Sequence, residues 1–451
     1  MGLILGAGTT KPQYPYDMWY GVQGDFTSKD YLLTRVGNLD LHKTLPIQSA
    51  IRRFVENDDG SVKYYLHQND SRKTEGDATA ILDSTDGNVM LEIPAYYQKI
   101  EFSGTKWIYA ISQYPLPGFT LVERKTISPW FATIDQANSK AVSGSWLTWN
   151  GDEIARDANG YVVYASNAAN FRGGNNASTN DASYNSLLGM PRTSMSKAGF
   201  RTYCKNGTHL GAYRAYNEIG WLARIEYASF YCQDKYNATL DSNGYHQGGL
   251  GDGTTTVDGG VWYKWNGYNP FIPCGVTATL GNNTGQVQYL IKSWSTNGDF
   301  TDTVTSYRGL EAPFNYLWML ADDVLMYNDT ANSKAIAYVC EDPTKFISPA
   351  DNDANIPDGY KAITNMPCTT GWIGTDSISD KGYSFPLSLG GGANSGITDY
   401  YYYPGTQYNG WFGALFSANA GNGANGGFGY LNATYRSSFA YAYVGFRLCR
   451  F

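Results

Sequence analysis

Short apolar runs, each cut off by Gly, Asn, Asp or Ser, recur along most of the chain. This spacing predicts strands joined by tight turns. Arg52-Arg53-Phe54-Val55 and Val62-Lys63-Tyr64-Tyr65-Leu66 flank Asp59-Gly60, a dipeptide suited to a hairpin turn. Val89-Met90-Leu91-Glu92-Ile93-Pro94-Ala95-Tyr96-Tyr97 and Trp107-Ile108-Tyr109-Ala110-Ile111 flank Ser103-Gly104 and predict a second hairpin. Val162-Val163-Tyr164 and Ala335-Ile336-Ala337-Tyr338-Val339-Cys340 read as further strands, and residues 310–318 as a turn into an aromatic strand. Residues 168–186 read as a Gly/Asn/Ser loop. The polar stretch 68–77 is placed as a boundary. Residues 1–75 are thus expected to form a small β-rich N-terminal attachment region, and residues 76–451 the main domain.

Helical periodicity is confined to the middle of the chain. One helix is predicted over residues 194–205 with Ser194 as N-cap, and a second from Asn217 to Ser229. The second is apolar on most sides: Ile219, Leu222 and Ala223 share one face, and Trp221, Ile225 and Ala228 another. Such a helix is a buried one. Glu226 within it then needs a partner, because an unpaired buried carboxylate is costly. A paired structural group is the expected reading, with catalysis as the sharper alternative. From Tyr245 onward no helical period is seen. The fold class expected is a strand-rich α+β domain.

Composition changes this picture in one respect. The chain holds 38 Tyr, 12 Trp and 51 Gly against 33 Lys+Arg. Tyr and Trp give large, stiff, amphipathic contact area at low entropic cost, as binding loops require. A net charge of −7 without a basic cluster argues against a nucleic-acid partner. No apolar run is long enough to insert in a membrane, and residues 1–10 lack the basic flank of a signal peptide. Cys204, Cys232, Cys274, Cys340, Cys368 and Cys449 form no CxxC pair and have no histidine at ligand spacing, so no metal site is expected. None of His42, His67, His209 and His246 sits in a catalytic motif, so no catalytic residue is nominated.

The most informative stretch is 384–444. Its only charged residues are Asp399 and Arg436, and it has no Lys, Glu or Met. Tyr, Asn, Ser, Ala and Gly dominate it, yet Trp411, Leu415, Phe416 and Phe428 recur as apolar anchors, and Val444, Phe446 and Leu448 follow. A flexible linker has no use for anchors. The pattern fits a folded domain with adaptable surface loops.

Several segments carry a family resemblance. Val444-Gly445-Phe446-Arg447-Leu448-Cys449, Glu226-Tyr227-Ala228 and Phe314-Asn315-Tyr316-Leu317-Trp318 resemble segments of the formylglycine-generating-enzyme type of C-type lectin fold. Leu91-Glu92-Ile93-Pro94-Ala95-Tyr96-Tyr97, Gly189-Met190-Pro191-Arg192-Thr193, Gly248-Gly249-Leu250-Gly251, residues 266–275 and Tyr307-Arg308-Gly309-Leu310-Glu311 resemble tail proteins of phages of gut Bacteroides-type hosts. The resemblance covers most of the chain. Some such proteins are rewritten at adenines by diversity-generating retroelements, which yield many residues but not Trp, Met, Gln, Glu or Lys. The composition of 384–444 fits that history, with Gln407 and Trp411 as fixed positions.

The resemblance implies a receptor-binding protein of a phage tail tip or fibre, made in the host cytoplasm and carried on the virion. It implies a C-type-lectin-like C-terminal domain and a homotrimer. Its partners are then a host-surface protein or glycan receptor and other tail or baseplate proteins. No enzyme activity or cofactor is implied. The copper-binding cysteine pair of formylglycine-generating enzymes has no counterpart beside Cys449, and the calcium-binding tripeptides of sugar-binding lectins are missing. A bacterial surface adhesin and a tail-associated glycan hydrolase are the alternatives. In a lectin-like fold residues 444–449 return to the core sheet. The residues expected to face outward and bind are Tyr400, Tyr401, Tyr402, Tyr403, Tyr408, Asn409, Ser417, Asn419, Asn422, Asn425, Tyr430, Asn432, Tyr435, Ser437 and Tyr441.

Overall fold

A computed structural model describes residues 17–178, 181–183, 185–254, 257–292, 298–379 and 382–451. Residues 1–10, read above for a leader, lie outside them, as does part of the loop 168–186. Among the described residues the chain is strand-rich, with few helices.

The Asp59-Gly60 hairpin forms as the pattern predicts, with Arg52–Glu56 paired to Val62–His67. The second hairpin forms one strand later than expected. Tyr96–Ser103 pairs with Lys106–Ser112, while Asn88–Ile93 joins a different sheet. Pro94 lies between the two strands; lacking an N–H, it suits the end of a ladder. Residues 162–164 make only isolated bridges.

Two sheets meet over the N-terminal half. A five-stranded antiparallel sheet runs in the order Thr34–Gly37, Tyr20–Asp25, Lys106–Ser112, Tyr96–Ser103, Thr120–Val122. A seven-stranded sheet runs His209–Leu210, Leu448–Arg450, Lys125–Ile127, Asn88–Ile93, Arg52–Glu56, Val62–His67, Asp70–Thr74. The last strand of the chain therefore lies inside a sheet that also holds strands from before residue 75. A cluster of buried apolar side chains extends from Tyr20 to Ala433. This corrects the expected boundary. Residues 17–75 share both sheets and this core with the rest of the chain, and the polar stretch 68–77 contains a strand paired at the sheet edge, where polar side chains meet water on one side.

The central helix, Tyr213–Tyr227, is buried nearly throughout. It begins earlier than its sequence predicts. Its N-cap, Ala212, offers no side-chain acceptor. The carboxylate of Asp323 supplies the cap from a distant strand, accepting from the backbone N of Tyr213 at 2.7 Å and of Arg214 at 3.0 Å. Asp323 sits where the strand Trp318–Asp329 shifts register against Gly410–Phe416, which turns its side chain toward the helix. Trp221 stacks on Tyr109 at 4.4 Å, fixing the helix to the five-stranded sheet. Glu218 pairs with Lys125 at 2.9 Å, both buried. Glu226 has its partner: Arg308 donates to both oxygens at 2.8 and 3.0 Å, and the Tyr307 hydroxyl adds a third bond at 3.0 Å. That saturation supports the structural role.

Two other helices differ from expectation. The predicted helix 194–205 is reduced to Lys197–Arg201, capped by Ser196, because Ser194 takes a left-handed φ of 58°. Gly259–Asn266 is helical although no period was seen there. Asp258 caps it by accepting from Gly260 and Val261.

A nine-stranded sheet carries most of the C-terminal half. Tyr360–Met366, Lys334–Cys340, Trp318–Asp329, Gly410–Phe416, Leu431–Asn432, Tyr400–Tyr402, Gly371–Ile378 and Ser384–Leu389 follow in that order, and Val444–Gly445 pairs alongside Trp318–Asp329. Residues 444–449 are fully buried, as expected of an anchor. Arg447 donates to the carbonyls of Ser128, Pro129, Glu311 and Ala312 and lies 4.3 Å over the Phe131 ring. Glu311 beside it accepts from Gly275 and Thr277. Arg53 in turn donates to Gly309, Ser71 and Thr277. Burial lowers the Arg447 guanidinium to about 10, still charged at neutral pH.

Candidate functional site

The pleat of one strand organises the site. In Tyr400–Tyr402 successive side chains point to opposite faces. Tyr401 enters the core, while Tyr400 and Tyr402 lie half-buried on the outer face. The same alternation buries Tyr403. Tyr400 meets Trp372 at 5.3 Å and Tyr402 at 4.9 Å. Tyr402 lies 6.1 Å from Tyr430, which is itself buried against Trp318 at 4.6 Å.

A second row follows from residues 435–443. Tyr435 packs on Phe439 at 3.8 Å, Phe439 stacks on Tyr441 at 4.5 Å, and Tyr441 meets Tyr443 at 5.3 Å. Tyr443 touches Tyr268 at 5.3 Å, and Tyr268 touches Tyr263 on the helix Gly259–Asn266 at 5.2 Å. Tyr400, Tyr402, Tyr435, Phe439 and Tyr443 all pack their inner sides against one buried cluster. They thus form a tyrosine-rich surface strip, with Tyr441 and Tyr263 more than half exposed. Burial raises the Tyr402 phenol above its ordinary value, so it stays neutral and keeps its donor.

The asparagines at the edge of the strip are shaped rather than free. Asn419 accepts from the backbone N of Gly421, and Asn422 accepts from that of Asn419, closing a reciprocal cap on a short turn. Asn425 lies near the Tyr402 phenol. These commitments leave rings and hydroxyls as the groups offered to a partner.

Several nominated residues do not face outward. Tyr401, Tyr403, Ser417, Tyr430, Asn432 and Ser437 are all buried. Strand alternation accounts for Tyr401 and Tyr403. Ser417 donates to the Leu317 carbonyl at 3.0 Å, and Asn432 accepts from Thr434. Tyr408 and Asn409 are exposed but belong to a different loop: Asn328 donates to the Tyr408 carbonyl at 2.5 Å, and Asn409 accepts from Thr330. Sequence reasoning missed Phe439, Tyr443, Tyr263, Tyr268 and Trp372. The two-residue spacing of Phe439, Tyr441 and Tyr443 was a usable signal. Tyr263 and, just past the helix end, Tyr268 were hidden because the helix Gly259–Asn266 was not foreseen.

Among the described residues no cluster of three His, Cys, Asp or Glu is placed to hold a metal ion. No described helix is long and apolar enough to cross a membrane. No family model matches the chain, and a search of curated proteins finds no match.

Proposed function

We propose that this chain is a receptor-binding protein of a phage tail, on a lectin-like scaffold, and that it meets its receptor through the tyrosine strip. The observation that carries the reading is the strip itself. A contiguous, partly exposed aromatic strip is a candidate interaction surface. Tyr supplies contact area together with a hydroxyl, which suits a host-surface protein or glycan equally. The order of the lectin-like and tail-like segments along the sequence supports the scaffold and the virion setting. The return of residues 444–449 to the core, beside a buried helix, agrees with that scaffold.

The binding residues on this reading are Tyr400, Tyr402, Asn425, Tyr435, Tyr441 and, newly, Phe439, Tyr443, Tyr263 and Tyr268. Homotrimeric assembly and contact with other tail proteins through the N-terminal end belong to the same proposal. Each single strip contact is weak, and three copies would multiply their effect. The test is binding of the labelled, purified chain to intact cells of a panel of Bacteroides-type strains. Saturable binding to some strains, competed by unlabelled chain, is expected. Binding to none, or equal binding to every strain including unrelated bacteria, would contradict the proposal.

A further inference from the structure

A cavity of about 330 Å³ lies on another face, between the five-stranded sheet, the strand Gly371–Ile378 and the central helix. We propose that it binds a small organic cation, a ligand bearing a primary ammonium group. This site does not depend on the tyrosine strip or on the proposed tail function.

The cavity is the size of a small-molecule pocket. Its lining holds three carboxylates, Asp25, Asp30 and Asp376, against one ammonium, Lys106. Asp376 is the deepest clue. Its side chain is 5% exposed, yet among the described residues none donates a hydrogen bond to it. Its nearest cation, Nη2 of Arg224, stands 3.9 Å away and itself has no hydrogen-bond partner. Arg224 is held instead over the rings of Trp221 and Phe230, at 4.8 and 5.1 Å. A buried carboxylate with no donor is costly. An ammonium ligand removes that cost by donating to it directly.

The walls fit the same ligand. Trp107, Phe230 and Phe26 line the cavity, with Trp107 6.0 Å from Phe230 and 6.5 Å from Phe26. Aromatic faces attract a cation that has left water. At the rim, Asp25 accepts from the N and hydroxyl of Thr27, and Asp30 from the N of Leu32. Both carboxylates are thereby fixed in place. The bonds from Thr27 hold the Asp25 carboxyl below its ordinary value, so it is charged. Burial raises Asp376 to about 6, which still leaves it mostly ionised at neutral pH. A neutral sugar would satisfy the hydrogen bonds but not the charge.

Isothermal titration of the full chain with glucosamine, cadaverine and N-acetylglucosamine tests the proposal. Binding of at least one of the two amines is expected, with a raised Tm, and none by the acetylated sugar, which lacks the charge. Tighter binding of glucosamine assigns the site to an amino sugar; tighter binding of cadaverine assigns it to an aliphatic amine. Asp376→Asn is expected to weaken amine binding by at least about thirtyfold, the loss for truncating one side of a buried charge pair. Should Asp376→Asn fail to fold, the rim variant Asp25→Asn/Asp30→Asn carries the test with a several-fold loss. Equal binding of N-acetylglucosamine, no binding of either amine, or undiminished amine binding by both variants would overturn the assignment.

Discussion

Residues 435–443 and residues 444–449 are neighbours in sequence and opposites in chemistry. The first stretch packs aromatic rings in a row, with Tyr441 about half exposed. The second is buried to the last atom of Phe446 and Leu448, and its one charge, Arg447, donates to four backbone carbonyls. Every donor satisfied inside the fold is a donor withheld from a partner. Every ring face left uncovered is contact area kept in reserve. On the proposed reading, stability and recognition are divided between adjacent stretches.

The division is broken most severely at Arg447. Arg447→Met removes a buried guanidinium and leaves the carbonyls of Ser128, Pro129, Glu311 and Ala312 without their donor. A loss of about 3–5 kcal/mol is expected, measured by urea unfolding. A loss under about 1 kcal/mol would mean that residues 444–449 are not the anchor.

Adjacent tyrosines sharpen the same contrast. Tyr401→Ala empties a fully buried ring site and is expected to cost about 3–5 kcal/mol. Tyr402→Ala, on the outer face, is expected to cost about 1 kcal/mol or less. Equal losses in thermal unfolding would mean that the pleat does not separate core from strip. The Tyr401 hydroxyl is buried without a partner. Tyr401→Phe is therefore expected to be neutral or stabilising, within about 1 kcal/mol.

Charge at the base of the segment gives a smaller, pH-dependent effect. Burial raises Asp399 to about 7, with Arg224 and the Gly429 N–H opposing. Its proton is held more tightly in the fold than in the unfolded chain. The stability it contributes is full on the acid side and is lost as pH rises from about 4 to about 7. Asp376 and Asp323, both raised to about 6, act in the same sense, while His42, lowered to about 4 by burial, acts in the opposite one. Comparison with Asp399→Asn isolates the one group. Relative to the variant, the natural chain should lose up to about 1.4 kcal/mol per pH unit in that window. Urea midpoints at a series of pH values check it, and parallel curves would contradict the assignment.

How much of this the sequence made visible depends on how local each cause is. The Asp59-Gly60 hairpin, the buried central helix and the anchors Leu415, Phe416 and Phe428 follow from patterns read within a few residues. The start of the central helix does not, because its cap is Asp323, more than a hundred residues away in sequence. The false boundary at 75 has the same origin: Asp70–Thr74 is polar as an edge strand is, and nothing local tells an edge from a linker. Within the candidate site, composition pointed to the segment that carries most of the tyrosine strip. It could not sort Tyr401 from Tyr402, because both are tyrosines. Only strand register puts one in the core and the other on the half-buried outer face.

The central claim is that the outer tyrosines bind and the inner residues hold. The most direct test is the triple variant Tyr402→Ala/Tyr435→Ala/Tyr441→Ala, with cell binding and thermal unfolding measured on the same preparation of a binding-competent chain. Each truncation of a central contact costs roughly 1–3 kcal/mol. The account therefore predicts that cell binding falls at least about a hundredfold while Tm shifts by only a few degrees. Unchanged binding, or a collapse of Tm that accounts for the lost binding, would contradict it.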